Sequence, residues 1–149
     1  MSKIISAGFA VLSKDYKILL GKTDKYQKVS NWTIFKGQQE AGETNIDTAI
    51  RELREESGID IVSDIRLNTN TSSSPFFTFG LNDKTVFVYL LHDKEGALDN
   101  YKFKCSSFWG EGEENPEIQS YKWFEIEEAI NAVYPSQRAL IEKLKIFKK

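Results

Sequence analysis

The sequence contains almost no cysteine or histidine, and each scarcity removes a class of protein. Cys105 is the only cysteine in 149 residues, so an intramolecular disulfide is excluded and a free thiol in a reducing compartment is expected. His92 is the only histidine, which argues against a Ser/His/Asp triad and against a histidine metal cluster. We therefore interpret His92 as a structural residue at the end of a strand.

Long hydrophobic runs and an excess of one charge are also missing. The first 15 residues carry a short, interrupted apolar run without a signal-peptide cleavage pattern, and no window approaches the length of a membrane span. The net charge of −2 gives no broad attraction to extended nucleic acid or to an anionic membrane. We expect a cytoplasmic protein without a membrane partner, in which any polyphosphate ligand depends on local cations.

The overall composition is that of an ordinary globular protein. Hydrophobic residues make up 40% and charged residues 28% of the chain. A length of 149 residues favours one domain over residues 1–149. Aromatic residues reach 13%, so rings that could stack on nucleotide bases are available.

The most informative stretch is residues 37–59, GQQEAGETNIDTAIRELREESGI. Thr44, followed three residues later by Asp47, begins a capping box, and Gly58 stands where a helix usually ends with a positive φ. The pattern predicts a helix over residues 45–57.

Three glutamates crowd one side of this predicted helix. At about 100° per residue the apolar residues share one arc, and Glu52, Glu55 and Glu56 occupy a second arc beside it. Like charges at this spacing repel unless they are neutralised, and oxygen-rich sites suit hard cations such as Mg²⁺. The alternative is a solvated helix face whose charge is balanced by Arg51 and Arg54.

The spacing of the fixed residues favours the metal site. Gly37, Glu43, the Arg51-Glu52-Leu53 triplet, the Glu55-Glu56 pair and the Gly58-Ile59 pair stand at intervals that resemble the Nudix box. The stretch is therefore similar to the signature of the Nudix hydrolase family. That resemblance implies an α/β fold, an α/β/α sandwich around a mixed β-sheet, and a Mg²⁺ cofactor that Mn²⁺ can replace.

The resemblance also implies roles for individual residues. The implied catalytic residues are Arg51, Glu52, Glu55 and Glu56. The three glutamates share metal ligation and base duty, and the division between them stays open. Arg51 orients Glu55, Glu43 supports the site, and the Gly37 carbonyl joins the metal shell.

A second acidic stretch follows at residues 111–117. It is either a solvated acidic loop or a loop that brings a further carboxylate to the cations. The resemblance favours Glu117 as an additional metal ligand or base, with Glu114 and Glu113 as the next candidates.

The implied reaction is the hydrolysis of a nucleoside diphosphate linked to a second moiety, giving a nucleoside monophosphate and a phosphorylated product. Short motifs at residues 31–33, 84–86 and 121–123 look like the branch that cleaves diadenosine polyphosphates. ADP-ribose and FAD fit nearly as well, so the substrate stays open among adenine dinucleotides.

Side chains outside the box supply the predicted substrate contacts. The main candidates are Lys36 and Lys84 for phosphate and Phe79 and Tyr101 for base stacking. Further candidates are Lys102, Lys104, Phe76 and Trp109. For each aromatic residue the alternative is a place in the hydrophobic core.

Two other functions remain open at this point. One is an adenine-nucleotide sensor that has lost turnover, against which the intact set of carboxylates argues. The other is a hydrolase of nucleoside triphosphates or of RNA 5′ ends. The expected partner is a small-molecule nucleotide, and the sequence leaves the oligomeric state open, a homodimer included.

The remaining chain predicts strands and helices around this centre. Hairpins are expected at residues 4–12 with 18–22 and at residues 75–79 with 85–91. Other strands are predicted at residues 31–37, 59–62, 65–67 and 101–105. Helices are predicted at residues 127–133 and 136–147.

Overall fold

The computed structural model describes residues 4–23, 31–108 and 116–147. The strands in these ranges are β1 (Ile4–Leu12), β2 (Ile18–Lys22), β3 (Trp32–Thr33), β4 (Phe35–Gln38), β5 (Phe77–Leu81), β6 (Lys84–His92) and β7 (Ser120–Phe124). The helices are α1 (Asn45–Ser57), α2 (Ile65–Asn68), α3 (Ile126–Ala132) and α4 (Arg138–Leu144), with 3₁₀ turns at Pro135–Gln137 and Lys145–Phe147.

The seven described strands form one mixed sheet. Its main path runs β3-β2-β1-β6-β5, while β4 pairs with β1 and β7 pairs with β2. Strands β1 and β6 run parallel from the Ile4 and Lys84 pair to the Leu12 and His92 pair. The other strand pairs are antiparallel. The mixed sheet predicted from the sequence is confirmed.

Alternation along the strands divides the core into two clusters. Phe9 and Val11 of β1 pack in a cluster that contains Leu53 of α1. Leu12 of β1 packs in a second cluster, which contains Ile141 of α4. Because successive side chains of a strand point to opposite faces, α1 covers one face of the sheet and the C-terminal helices cover the other. This arrangement is the predicted α/β/α sandwich.

Local sequence signals produce the elements that were predicted best. Helix α1 has the predicted bounds: the Thr44 side chain accepts from the Asp47 backbone N–H, and Gly58 adopts a φ of 83°. The β1–β2 turn is closed by the Ser13 hydroxyl, which accepts from two backbone N–H groups. In the β5–β6 hairpin Asn82 takes a positive φ of 56°. Both predicted hairpins are confirmed.

The strand prediction for residues 59–67 is wrong. The Asp60 carboxylate accepts from the backbone N–H groups of Val62 and Ser63, and this contact turns the chain. Asp64 then caps α2 by accepting from the Arg66 backbone N–H. Aspartate side chains that bond to nearby backbone compete with the strand ladder, so this stretch forms a turn and a short helix.

The strand predicted at residues 101–105 is also wrong. The backbone N–H of Lys104 donates to the carbonyl of Ser57, at a distance of 3.0 Å, so this stretch pairs with the end of α1. The two C-terminal helices are confirmed, although α4 is shorter than predicted because 3₁₀ turns flank it. In the described ranges, no helix is both long and apolar enough to cross a membrane.

Candidate active site

Helix α1 brings its glutamates to strand β4 because its apolar side packs on β1 and β4. The backbone of β4 passes so close to the helix that a Cβ at Gly37 would lie 2.1 Å from the carboxyl carbon of Glu52. Any larger residue at position 37 would have to displace the Glu52 carboxylate. Glycine at position 37 therefore lets the Glu52 carboxylate lie directly against the strand.

Arg51 lies at the centre of the more exposed glutamates. Its Nε donates to Glu43 Oε2 at 2.7 Å, and its Nη1 donates to Glu52 Oε2 at 2.7 Å and to Glu55 Oε1 at 2.9 Å. Its Nη2 donates to the carbonyl of Gln38 at 3.0 Å. The predicted contact between Arg51 and Glu55 is present, and it belongs to a network that also holds Glu43 and Glu52.

Glu43 serves this network as an anchor. It accepts from Arg51, from the Thr48 hydroxyl at 2.9 Å and from the Glu40 backbone N–H at 2.9 Å. The hydrogen bond from Arg51 lowers the pKa of Glu43 to about 2. The same ion pair raises the pKa of Arg51. Both groups therefore stay charged at neutral pH.

Glu56 is buried beside this network, with only 5% of its surface exposed. Its Oε1 accepts from the Lys36 backbone N–H at 2.9 Å. Burial, followed by the charges of Glu52 and Glu117, raises the pKa of Glu56 well above its usual value. Burial also raises the pKa of Glu52 to about 6, although Arg51 opposes this shift. Two carboxyl groups are therefore costly to ionise unless a cation joins them.

Glu117 belongs to the same site although it is far away in sequence. Its charge contributes to the raised pKa of both Glu52 and Glu56. Its backbone N–H donates to the carbonyl of Ser107 at 3.0 Å. The other acidic candidates, Glu113 and Glu114, lie outside the described residues.

Two adjoining cavities open beside these carboxylates. The first has a volume of about 150 Å³, and its lining includes Lys36, Glu56, Glu117 and Tyr134. The second has a volume of about 510 Å³, and its lining includes Lys36, Lys84, Tyr134 and Gln137. Lys36 and Tyr134 line both cavities, so a continuous groove runs from the carboxylates to Lys84.

The two predicted phosphate-binding lysines thus meet in one groove. Burial and then the charge of Lys84 lower the pKa of Lys36, while Glu56 and Glu52 oppose that shift. Two ammonium groups this close repel each other, and an anion between them would relieve the repulsion.

The predicted stacking residues lie elsewhere. Phe79 packs on Phe77 and on the core cluster next to the C-terminal helices. The Tyr101 hydroxyl donates to the Gly58 carbonyl at 2.7 Å, beyond the end of α1. Neither residue is among the described residues that line the groove. Phe76 lies under the ammonium group of Lys143, and Trp109 is outside the described residues.

Sequence reasoning missed one wall of the groove. Tyr134 and Gln137 form this wall, and the Gln137 side chain accepts from the Ile34 backbone N–H and donates to the Thr33 hydroxyl. The only local signal is Pro135, which begins the 3₁₀ turn. The two residues of each contact are about 100 positions apart, so no periodic pattern in the sequence predicts it.

The donor set fits a hard divalent cation. The Glu52 carboxylate lies against Gly37, the charges of Glu55 and Glu117 act on its pKa, and Glu56 and Glu117 line the same cavity. Among the described residues, no three acidic, histidine or cysteine side chains converge on one point as they stand. Arg51 draws Glu52 and Glu55 toward itself, so ion binding would require these side chains to turn.

Comparisons with known proteins find similar sequences. The family described as NUDIX domain matches residues 3–144. The chain is 28% identical over 121 residues to the mouse bis(5′-nucleosyl)-tetraphosphatase (asymmetrical), covering 77% of this chain and 70% of that protein.

Two solved structures show the same fold. A binary complex of the C. elegans Ap4A hydrolase matches with a TM-score of 0.63 and 22% identity, covering 95% of this chain and 96% of that one. The bifunctional NMN adenylyltransferase/ADP ribose pyrophosphatase of Francisella tularensis matches with a TM-score of 0.71 and 17% identity, covering 98% of this chain and 41% of that one.

Proposed function

The chain belongs to the Nudix family of hydrolases, and we propose that it cleaves a nucleoside diphosphate linked to a second moiety with Mg²⁺ or Mn²⁺ as cofactor. The products would be a nucleoside monophosphate and a phosphorylated second moiety. One observation carries the proposal: the groove has the carboxylates of Glu56 and Glu117 at one end and Lys84 at the other, with Lys36 between them. Such a groove suits a polyphosphate that is held by cations along its length.

We assign the metal to the carboxylates of Glu52, Glu55, Glu56 and Glu117 and to the carbonyl of Gly37. When bound, the cation supplies charge withdrawal from the phosphate oxygens and makes a water molecule easier to deprotonate. The glutamates of α1 would also accept the proton of the attacking water, and Arg51 holds Glu52 and Glu55 and balances their charge in the metal-free chain. Lys36 and Lys84 hold the phosphates in line for attack.

We propose diadenosine polyphosphates as the preferred substrates. The curated relative bears the name of a tetraphosphatase of this kind, and the second cavity adds about 510 Å³ of space next to the two lysines. A substrate with a long phosphate chain can contact both lysines, whereas a simple diphosphate reaches fewer cations. ADP-ribose and FAD are the next candidates because they share the adenylate diphosphate.

We also propose that the enzyme is cytoplasmic. Cys105 is buried and free, which is usual for a protein in a reducing compartment. A homodimer stays open as a prediction, and size-exclusion chromatography with light scattering would test it.

A panel of nucleotides tests the proposed reaction. The purified chain would be incubated with Ap4A, ADP-ribose, FAD, a nucleoside triphosphate and a 5′-triphosphorylated RNA, in Mg²⁺ and in EDTA, and the products would be separated by chromatography. We expect metal-dependent cleavage that is fastest for Ap4A. Binding of Ap4A without turnover in Mg²⁺ would replace the hydrolase with a nucleotide sensor.

A further inference from the structure

The end of helix α1 is held by donors from remote parts of the chain. The last carbonyl groups of a helix have no partners within it, so they need caps from elsewhere. The Glu55 carbonyl accepts from the Ser106 backbone N–H at 2.7 Å and from the Ser106 hydroxyl at 3.2 Å. The Glu56 carbonyl accepts from the Tyr121 hydroxyl at 2.5 Å. The carbonyls of two of the four glutamates in the proposed metal site are thus capped directly.

The next two carbonyls are capped in the same way. Ser57 accepts from the Lys104 backbone N–H, and Gly58 accepts from the Tyr101 hydroxyl. Four consecutive carbonyls therefore receive donors from residues 101–106 and from Tyr121. We call residues 101–107 together with Tyr121 the α1 brace.

The brace also contacts the segment that carries Glu117. The Ser107 carbonyl accepts from the Glu117 backbone N–H at 3.0 Å. Ser107 is the neighbour of Ser106, which bonds to Glu55. Tyr121 lies in β7, only a few residues after Glu117. Two short paths thus connect the glutamates of α1 to the carboxylate that comes from a different part of the chain.

The Tyr121 hydroxyl is aimed by packing. Its ring lies 6.0 Å from the ring of Phe35 and 5.4 Å from the ring of Phe103, measured between centroids. Phe35 precedes Lys36, whose backbone N–H donates to the Glu56 carboxylate. Glu56 is therefore fixed at its carboxylate by β4 and at its carbonyl by β7.

We propose that Tyr121 and Ser106 are positioning residues that hold Glu55 and Glu56 in register with Glu117. The proposal rests on the metal site of the proposed function, because register between the two segments matters only if one cation contacts both. Groups that orient metal ligands commonly change metal affinity by about 10- to 100-fold when they are removed.

Tyr121→Phe tests the proposal because it removes one hydroxyl and keeps the ring. Tyr89→Phe is the matched control: Tyr89 is buried in the same core cluster, and its hydroxyl is not among the donors to residues 55–58. Mn²⁺ binding to the full chain would be measured from the electron paramagnetic resonance signal of the free ion. Unfolding midpoints in EDTA would be measured beside it.

We expect Tyr121→Phe to weaken Mn²⁺ binding about 10-fold and Tyr89→Phe to leave it unchanged, with similar midpoints in EDTA for the two variants. Ser106→Ala keeps the backbone donor, so we expect a smaller loss in the same direction. If Tyr121→Phe does not fold, the Mn²⁺ affinity of Ser106→Ala tests the proposed positioning role in its place. Equal Mn²⁺ affinity in all variants would overturn the positioning role of Tyr121 and Ser106 while leaving the proposed function intact. A wild-type chain that binds no Mn²⁺ would overturn both.

Discussion

The two sides of the groove differ in how they are built. The acidic side comes mostly from residues 37–59, where a glycine, a capped helix and its glutamates follow one another. The opposite side is assembled from Lys36, Lys84 and the 3₁₀ turn Pro135–Gln137, which meet only in the folded chain. The comparison shows that the acidic residues lie close together in the sequence, whereas the cavity next to them is formed by residues that are far apart in the sequence.

The glutamates themselves also fall into two groups. Glu43 and Glu55 contact Arg51, and Glu43 has a pKa of about 2, so it is charged with or without metal. Glu56 has no such ion pair among the described contacts, and burial raises its pKa. Arg51 therefore balances the exposed charges, and the buried charge is left for a cation.

The largest expected effect comes from Glu56→Gln, which tests the acidic side. The amide can still accept from the Lys36 backbone N–H, but it has no negative charge with which to bind a metal ion or accept a proton. We expect kcat to fall by about 10³-fold, within the range for a lost acid or base, while the unfolding midpoint in EDTA does not fall. Glu142→Gln, an exposed glutamate that pairs with Lys145, is the control. A variant with near-normal kcat would refute the assignment of Glu56.

The next effect concerns Arg51, which joins the glutamates. Arg51→Ala removes the hydrogen bonds to four partner residues at once. We therefore expect kcat to fall about 10- to 100-fold and the unfolding midpoint in EDTA to fall as well. Arg54→Ala, at an exposed position of the same helix, should change neither quantity. Steady-state kinetics and thermal unfolding check both. Equal behaviour of the two variants would show that the network is dispensable.

Lys84→Ala tests the opposite side of the groove. Loss of one phosphate contact should raise KM about 10-fold, equivalent to about 1.4 kcal/mol, with a smaller change in kcat. The rise should be larger for Ap4A than for ADP-ribose because the longer phosphate chain reaches further along the groove. Lys94→Ala is a control on the connection after β6. An unchanged KM for Ap4A would remove Lys84 from the site.

The last prediction is a pH dependence of stability without metal. The pKa of Glu52 is raised to about 6 by burial, so the folded chain holds this proton more tightly than the unfolded chain. Stability therefore falls as pH rises from about 4.5 through 6, by at most about 2 kcal/mol for this group. Denaturant unfolding in EDTA would be compared for wild type and Glu52→Gln, since the lowered pKa of His92 is common to both. Loss of the Glu52 charge also makes Glu56 easier to ionise, which acts in the same direction. The variant should gain relative stability between pH 5 and pH 7.5, and a constant difference would contradict the raised pKa.

The sequence predicted the parts of this molecule that depend on neighbouring residues. The bounds of α1 follow from Thr44 and Gly58, and the contact of Arg51 with Glu55 follows from their spacing of one turn. The family signature predicted the acidic side of the site because its defining residues all lie within residues 37–59.

Other contacts depend on partners that local patterns do not reveal. Tyr101 alternates with polar residues like a strand residue that could stack on a base, yet its hydroxyl meets the end of α1. Gln137 is one polar residue in the first turn of the helix predicted over residues 136–147, yet it is buried and bonds to Thr33 and Ile34. Both are contacts across long sequence separations, so only the folded chain defines them.

The most direct test is a crystal of the wild-type chain grown with Mn²⁺ and a non-hydrolysable Ap4A analogue, with anomalous diffraction recorded to locate the manganese. We predict a peak bounded by Glu52, Glu55, Glu56 and Glu117 and the carbonyl of Gly37, with the phosphates running toward Lys84. Manganese bound elsewhere, with those carboxylates still paired to Arg51 and to the β4 backbone, would contradict the central claim.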